Sequence, residues 1–198
     1  MIESGADGGI ERALFTGGSL LVFGLIVGGT LARRRVERVF GFRTLFAGIP
    51  SSQVSPHFSQ PPLFFSYGKT PRSVSNIQRV DPSFQTFDLS AAGPRPQPQP
   101  QPTRYSQRVS YPSPSRAVVV YSTLALSQFA SDIRIDIASD GSEGTQVKLV
   151  GTLVAPWLVA NTALEALRAE EQSRMEAIEN HIKSQLSGSK RDDATGAR

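Results

Sequence analysis

Residues 132–150, DIRIDIASDGSEGTQVKLV, decide the fold class. In the first half of this stretch, Ile133, Ile135 and Ile137 alternate with charged residues, a period of two that places one face of a strand in a core. Residues 139–144 are of the types that favour a turn, and in residues 145–150 polar and apolar side chains alternate again. The stretch therefore predicts a β-hairpin with one buried face.

A second β pattern precedes the hairpin and a helical pattern follows it. Residues 117–121 form a β-branched run, and a helix is expected to begin between Pro156 and a possible capping box at Thr162 and Glu165. Glu171 stands at a position of the helix face where an apolar residue is expected. That face consists of Leu164, Leu167, Met175, Ile178, Ile182 and Leu186. We predict that it packs on the sheet; a short coiled coil with a partner helix is the alternative.

This arrangement resembles the carboxy-terminal half of the START-like, polyketide-cyclase-type helix-grip superfamily. The residues that carry the resemblance are the turn Asp140-Gly141, the strand opening Gly144-Thr145, the segment Pro156-Trp157-Leu158, and residues 105–109 and 116–119 as two further strands. Members fold a curved antiparallel sheet around a long carboxy-terminal helix and commonly enclose a hydrophobic ligand. The resemblance implies the same fold and a lipid or other hydrophobic ligand for this chain. No convincing first strand and helix are visible before residue 84.

Residues 13–32 carry no charge and lie between Arg12 and Arg33. A helix of this length spans roughly 30 Å, which predicts a single membrane crossing. A cleaved signal peptide and a buried core helix are the alternatives. The acidic start is atypical of a signal peptide, a core helix is usually shorter and amphipathic, and the three following arginines are atypical of both. Because arginine stays on the cytoplasmic side, we expect an integral single-pass protein with its amino terminus outside or luminal and its carboxy-terminal module cytoplasmic.

Two sets of residues near this segment are candidate sites. Gly17, Gly24 and Gly28 would leave one helix face without side chains and allow a second helix to approach; incidental glycines are the alternative. The arginines that come after residue 32 would either bind anionic lipid or act only as the signal that sets the orientation of the helix in the membrane. They are Arg33, Arg34, Arg35, Arg38 and Arg43.

Proline dominates the middle of the chain. The tract 94–102 alternates proline with Arg or Gln, which favours polyproline II and excludes helix or central strand. Two short apolar runs, 62–67 and 84–89, are either edge strands or contacts within a disordered linker, and the sequence leaves both open. We therefore interpret residues 49–103 as a Pro-rich, largely disordered linker.

The predicted fold class is α+β, with one amino-terminal transmembrane helix, the Pro-rich linker, and a small antiparallel sheet with a long carboxy-terminal amphipathic helix. The expected divisions are an acidic tail (1–12), the membrane helix (13–32), a basic juxtamembrane segment (33–48), the linker (49–103), an α+β module (104–187) and a disordered tail (188–198).

The chain carries no recognisable catalytic pattern. It has no cysteine, and His57 and His181, its two histidines, stand far apart in the sequence without a ligand set beside either. No nucleophile elbow, phosphate loop, dinucleotide fingerprint or zinc-protease motif occurs. We therefore expect no catalytic, cofactor or metal site, no enzyme, and no nucleic-acid partner.

The expected function is non-enzymatic tethering of a small interaction module near a membrane, as an assembly, scaffold or envelope component. Its partners would then be the membrane and another protein or a second copy of the chain. The alternative, which the resemblance implies, is a membrane-tethered START-like module that binds a lipid or another hydrophobic ligand.

Overall fold

The computed structural model describes residues 34–91, 102–124, 129–139 and 144–195, with side chains as far as residue 186. In these ranges the strands are β1 (Arg35–Ala47), β2 (Arg72–Asp81), β3 (Phe84–Ala91), β4 (Thr103–Ser113), β5 (Arg116–Thr123), β6 (Ala130–Ser139) and β7 (Gly144–Pro156). The helices are α1 (Ser51–Ser59), α2 (Pro61–Ser66) and α3 (Ala160–Thr195).

The seven strands form one antiparallel sheet in the order β1-β7-β6-β5-β4-β3-β2. From β2 to β7, strands that are neighbours in the sheet are also consecutive in the sequence, whereas β1 pairs with the last strand, β7. Helices α1 and α2 connect β1 to β2, which lie at opposite edges of the sheet. The long helix α3 follows β7 directly and contacts β1, β7 and α1. One face of the sheet is thereby covered by helices.

Alternation along β6 and β7 explains the central hairpin. Ile133, Ile135 and Ile137 are buried, as are Val147 and Leu149 on the neighbouring strand, with Ile135 opposite Leu149. The polar residues between them point to the other face of the sheet. The structure therefore contains the strand pairing that the alternation predicted, and the turn residues 140–143 lie outside the described ranges.

Aromatic side chains fill the space between the sheet and the helices. Phe64 stacks on Tyr121 with ring centroids 4.8 Å apart, and Phe87 stacks on Tyr105 at 5.9 Å. Phe65 contacts all four of these rings at centroid distances between 5.0 and 5.7 Å. Such edge and offset contacts add to the free energy of burying the rings. The interior of the described fold is therefore a packed aromatic core.

The predicted fold class is wrong, because it assigned too little of the chain to strands and helices. Residues 33–48, expected to be a basic juxtamembrane segment, contain β1, and all thirteen residues of that strand pair with β7. The region expected to be a largely disordered linker contains α1, α2, β2 and β3. The sheet therefore has seven strands, and a first strand followed by two short helices does precede residue 84. Most of the proline tract lies outside the described residues.

The prediction of a single-pass integral membrane protein is corrected as well. In the part of the chain that the structure describes, no helix is long and apolar enough to cross a membrane. Residues 13–32, with Gly17, Gly24 and Gly28, lie outside that part. The tethering function, which assumed a membrane anchor, loses its support with this correction.

Two glycines at positive φ provide a test of the corner between β1 and β7. Gly144 has φ +125°, and a Cβ there would collide with the backbone of Phe46; Gly48 has φ +68°, and a Cβ there would meet no atom within 4 Å. We expect Gly48→Ala to lower the free energy of unfolding by about 1 kcal/mol, from backbone strain alone. Gly144→Ala should cost at least about 2 kcal/mol more, because the strand end must shift. Urea unfolding of both variants measures this difference, and equal losses would contradict it.

Candidate functional site

A buried ion pair lies at the centre of the helix-covered interior. Glu171 and Arg174, one turn apart on α3, are each 2% exposed and form a salt bridge. The Arg174 guanidinium also donates to Glu170 Oε1 at 3.2 Å and to the carbonyl of Tyr67 at 3.3 Å. Its central carbon lies 4.8 Å from the ring centroid of Phe64 and 5.3 Å from that of Phe65. Arg174 therefore binds α3 to α2 and to the segment that follows it.

The Glu171 carboxylate is incompletely satisfied. Its Oε2 atom is buried and has no hydrogen-bond partner among the described residues. Burial raises the pKa of Glu171, and the charges of Arg174 and Arg72 act in the opposite direction. A buried carboxyl group with a raised pKa and a free oxygen atom can accept a hydrogen bond or exchange a proton. These properties make Glu171 the leading candidate for a functional side chain.

Hydrogen bonds fix the junction of α1 and α2 to the sheet beside this pair. The Tyr121 hydroxyl donates to the carbonyl of Phe58 at 2.6 Å. The amide nitrogen of Gln107 donates to the Tyr121 hydroxyl at 3.0 Å and to the carbonyl of Ser59 at 2.6 Å. Burial raises the pKa of Tyr121, so its hydroxyl remains a donor across the physiological range. Side chains of the sheet therefore pair the backbone carbonyls of Phe58 and Ser59 at this junction.

A cavity of about 310 Å³ opens at one end of β2, β3 and β4. Its lining consists of Thr70, Pro71, Arg72, Leu89, Ser90, Ala91 and Thr103. Leu89 is buried and belongs to the aromatic core, and Thr70 donates to Glu170 Oε2 at 2.9 Å. Among the described residues, the lining thus combines an apolar wall with three hydroxyl groups and one cation. Its volume lies at the lower end of the range for small-molecule sites.

A second cavity, of about 220 Å³, lies towards the other end of the same strands. Arg79, Asp81, Gln85 and Gln107 contribute polar groups to its lining. The Gln85 amide donates to Gln107 Oε1 at 2.5 Å, and Asp81 Oδ1 accepts hydrogen bonds from Ser83. Asp81, Gln85 and Gln107 thus already have hydrogen-bond partners within the lining, and the cavity has less apolar lining than the first.

The two histidines meet in space although they are far apart in the sequence. His57 on α1 and His181 on α3 have ring centroids 5.5 Å apart, and His57 Nδ1 lies 3.1 Å from the Tyr67 hydroxyl. Burial and the neighbouring His181 lower the pKa of His57. Within the described ranges, no group of three or more His, Asp or Glu side chains could hold a metal ion. The pair therefore joins α1 to α3, and the lowered pKa keeps the His57 ring neutral near neutral pH.

The candidate residues taken from the sequence lie at several separate places. Arg33 lies outside the described residues, and the carbonyl of Arg34 accepts a hydrogen bond of 2.8 Å from the Trp157 amide. Arg35, Arg38 and Arg43 lie in β1. On α3, the apolar face contacts the core: Met175, Ile178 and Ile182 are buried, Leu164 and Leu167 are partly buried, and Leu186 is exposed.

The polar residues of the interior were not among the candidate functional residues taken from the sequence. Glu171 had a signal, since it interrupts an apolar helix face, and such an interruption indicates a buried polar group with a partner. Arg174 follows it by three residues, a spacing that brings side chains together on a helix. Arg72 and the two histidines had no comparable signal, because only tertiary packing brings them to their partners.

The ion pair should be more sensitive to loss of its cation than to loss of its anion. Arg174→Met would leave a buried carboxylate unpaired and should lower the free energy of unfolding by about 3 to 5 kcal/mol. Glu171→Gln keeps the shape without the charge and should cost less. Urea denaturation measures both, with the double variant Glu171→Leu and Arg174→Met expected to recover part of the loss. A larger effect of Glu171→Gln would contradict this account.

His57 should make the fold sensitive to mild acid. Because its pKa is lowered in the folded state, the unfolded chain binds the proton first as the pH falls below about 6.5. The free energy of unfolding should therefore decrease between pH 7 and pH 5, and less so in His57→Gln. Urea midpoints at several pH values test this expectation, and parallel profiles for the two proteins would refute it.

Solved structures of known proteins have a fold similar to that of this chain. No family model and no curated protein sequence matches the chain. Among solved structures, the Zhui aromatase/cyclase of Streptomyces sp. R1128 has a TM-score of 0.53 at 14% identity, over 77% of this chain and 95% of that one. A point mutant of norcoclaurine synthase from Thalictrum flavum has a TM-score of 0.52 at 11% identity, over 77% of this chain and 98% of that one.

The di-domain aromatase/cyclase BexL of the BE-7585A biosynthetic pathway has a TM-score of 0.50 at 18% identity. The match covers 88% of this chain, which spans only 58% of that protein. The expectation that the chain is not an enzyme is corrected here. It rested on the absence of known motifs, and these solved structures of similar fold are enzymes. At such identities the likeness establishes the fold alone. The chain therefore has the helix-grip fold, as its resemblance to START-like and polyketide-cyclase proteins implied.

Proposed function

We propose that this helix-grip module binds a small amphipathic molecule, with an apolar body and one anionic or carbonyl group, in the cavity beside Arg72. The observation that carries the proposal is the cavity itself, in which the described residues set one cation, Arg72, against an apolar wall that continues into the core. Sites for small ligands combine these two elements, because apolar area supplies affinity and a few polar groups supply orientation.

The packed interior determines how large the ligand can be. Phe64, Phe65 and Tyr121 fill the space between the sheet and the helices, so the ligand occupies the end of the fold and not its centre. Leu89, Ala91 and Pro71 would contact its apolar part, and the hydroxyl groups of Thr70 and Thr103 are within the same lining. This favours a compact ligand over a long acyl chain.

Arg72 would select the polar group of the ligand. Its side chain is half-buried at the start of β2, and it forms no salt bridge among the described residues. Its charge also lowers the pKa of both Glu171 and Tyr105, whose pKa values burial raises, so it is electrostatically coupled to the interior pair. An anionic ligand at Arg72 would weaken that coupling and favour protonation of Glu171.

Binding of 1-naphthoate and of its neutral analogue 1-naphthalenemethanol tests this proposal. Calorimetric titration of the full chain should show tighter binding of the anion, and Arg72→Gln should weaken naphthoate binding about tenfold or more while leaving the neutral compound unaffected. The matched control is Arg79→Gln, at the other end of the same strand beside the second cavity. Absence of binding, or an equal loss in both variants, would overturn the proposal.

A further inference from the structure

The two edges of the sheet differ in how they are protected. Strand β2 has register shifts between Ser75 and Gln78 and between Arg79 and Asp81, and Asn76 has a positive φ of 51°. Such irregularities prevent an edge strand from pairing with another chain. Strand β1 has none of them: its thirteen residues pair with β7 in unbroken register, and it contains no proline.

The free edge of β1 is therefore a regular template. Among the described residues, no strand pairs with β1 on the side away from β7. On the sheet face that the helices leave open, β1 presents two large apolar side chains, Val39 at 58% exposed and Leu45 at 47%. An exposed edge with apolar residues is suited to adding a further strand.

Charges on the same face indicate which strand would fit. Glu37 and Arg43 are exposed, and neither forms a salt bridge among the described residues. Arg43 also lies opposite Lys148 of β7, so its cross-strand neighbour is another cation. A strand that brought a carboxylate to Arg43 and a cation to Glu37 would relieve both positions.

A second copy of β1 meets this requirement. In an antiparallel pair related by a two-fold axis through Phe40, Glu37 lies opposite Arg43 of the second copy, and the symmetry repeats the contact. Val39 then lies opposite Gly41, and Arg35 lies opposite Leu45. Moving the axis by one residue towards the amino terminus instead sets Arg35 against Arg43, which places like charges together.

We propose that two copies of this chain associate through antiparallel pairing of their β1 strands, centred on Phe40, to form one continuous sheet of both subunits. The backbone groups of the free edges would supply the hydrogen bonds, and the paired Glu37 and Arg43 side chains would set the register. The cavity beside Arg72 lies at the opposite edge of the sheet and would remain open in the dimer.

Charge reversal with rescue tests the proposed interface. Sedimentation velocity of the full chain over a range of concentrations should show a reversible dimer. Glu37→Arg and Arg43→Glu should each raise the dimer dissociation constant about tenfold or more, because each creates two like-charge pairs. The double variant restores opposite charges and should restore dimerisation. Glu165→Arg, an exposed reversal on α3, is the control and should have no effect.

Three results would overturn the proposal. They are a monomer at all concentrations, a dimer that neither single reversal weakens, and a double variant that dissociates as readily as the single ones. Far-ultraviolet circular dichroism of each variant confirms that the fold is retained, so that dissociation is not mistaken for unfolding.

Discussion

The structure depends on keeping one cation, Arg174, inside an aromatic core. Its guanidinium is held by Glu171, by Glu170 and by the carbonyl of Tyr67, and two phenylalanine rings cover it. An arginine in such a place is tolerated only when each of its donors and its charge has a partner. The helix, the segment after α2 and the aromatic rings must therefore be in position together.

The same requirement explains why the interior is filled by large rings. Aromatic faces accept a cation where aliphatic side chains do not, and Phe64 does so while stacking on Tyr121. Tyr121 in turn holds the α1–α2 junction through the carbonyl of Phe58. Polar groups in this core thus serve to orient the two short helices, and the two cavities described above lie towards the ends of the strands. The ligand that we propose would therefore bind at the rim of the fold and not at its centre.

The sequence made part of this fold predictable. Ile133, Ile135 and Ile137 define a strand by themselves, and the spacing from Leu164 to Ile182 defines the helix that packs near it, because local periodicity reports burial directly. Strand β1 was missed because its arginines were interpreted as a topology signal, although Phe40, Phe42 and Phe46 share one strand face. Pro56 within α1 concealed that helix in the same way. Glu171 could be suspected from its place on an apolar face, whereas the meeting of His57 with His181 follows only from tertiary packing.

The pairing of β1 with β7 also has a consequence for synthesis of the chain. Ala47 pairs with Gly144, about a hundred residues later, so on a ribosome β1 waits for its partner for on the order of 5 to 20 s. During that time Phe40 and Phe46 have no strand to cover them, while β2 to β5 can form hairpins with their neighbours as they emerge. Long-range closure of this kind slows folding and exposes apolar strands to aggregation. Strand β1 is therefore the strand of the described sheet that stays unpaired longest during synthesis, until β7 emerges.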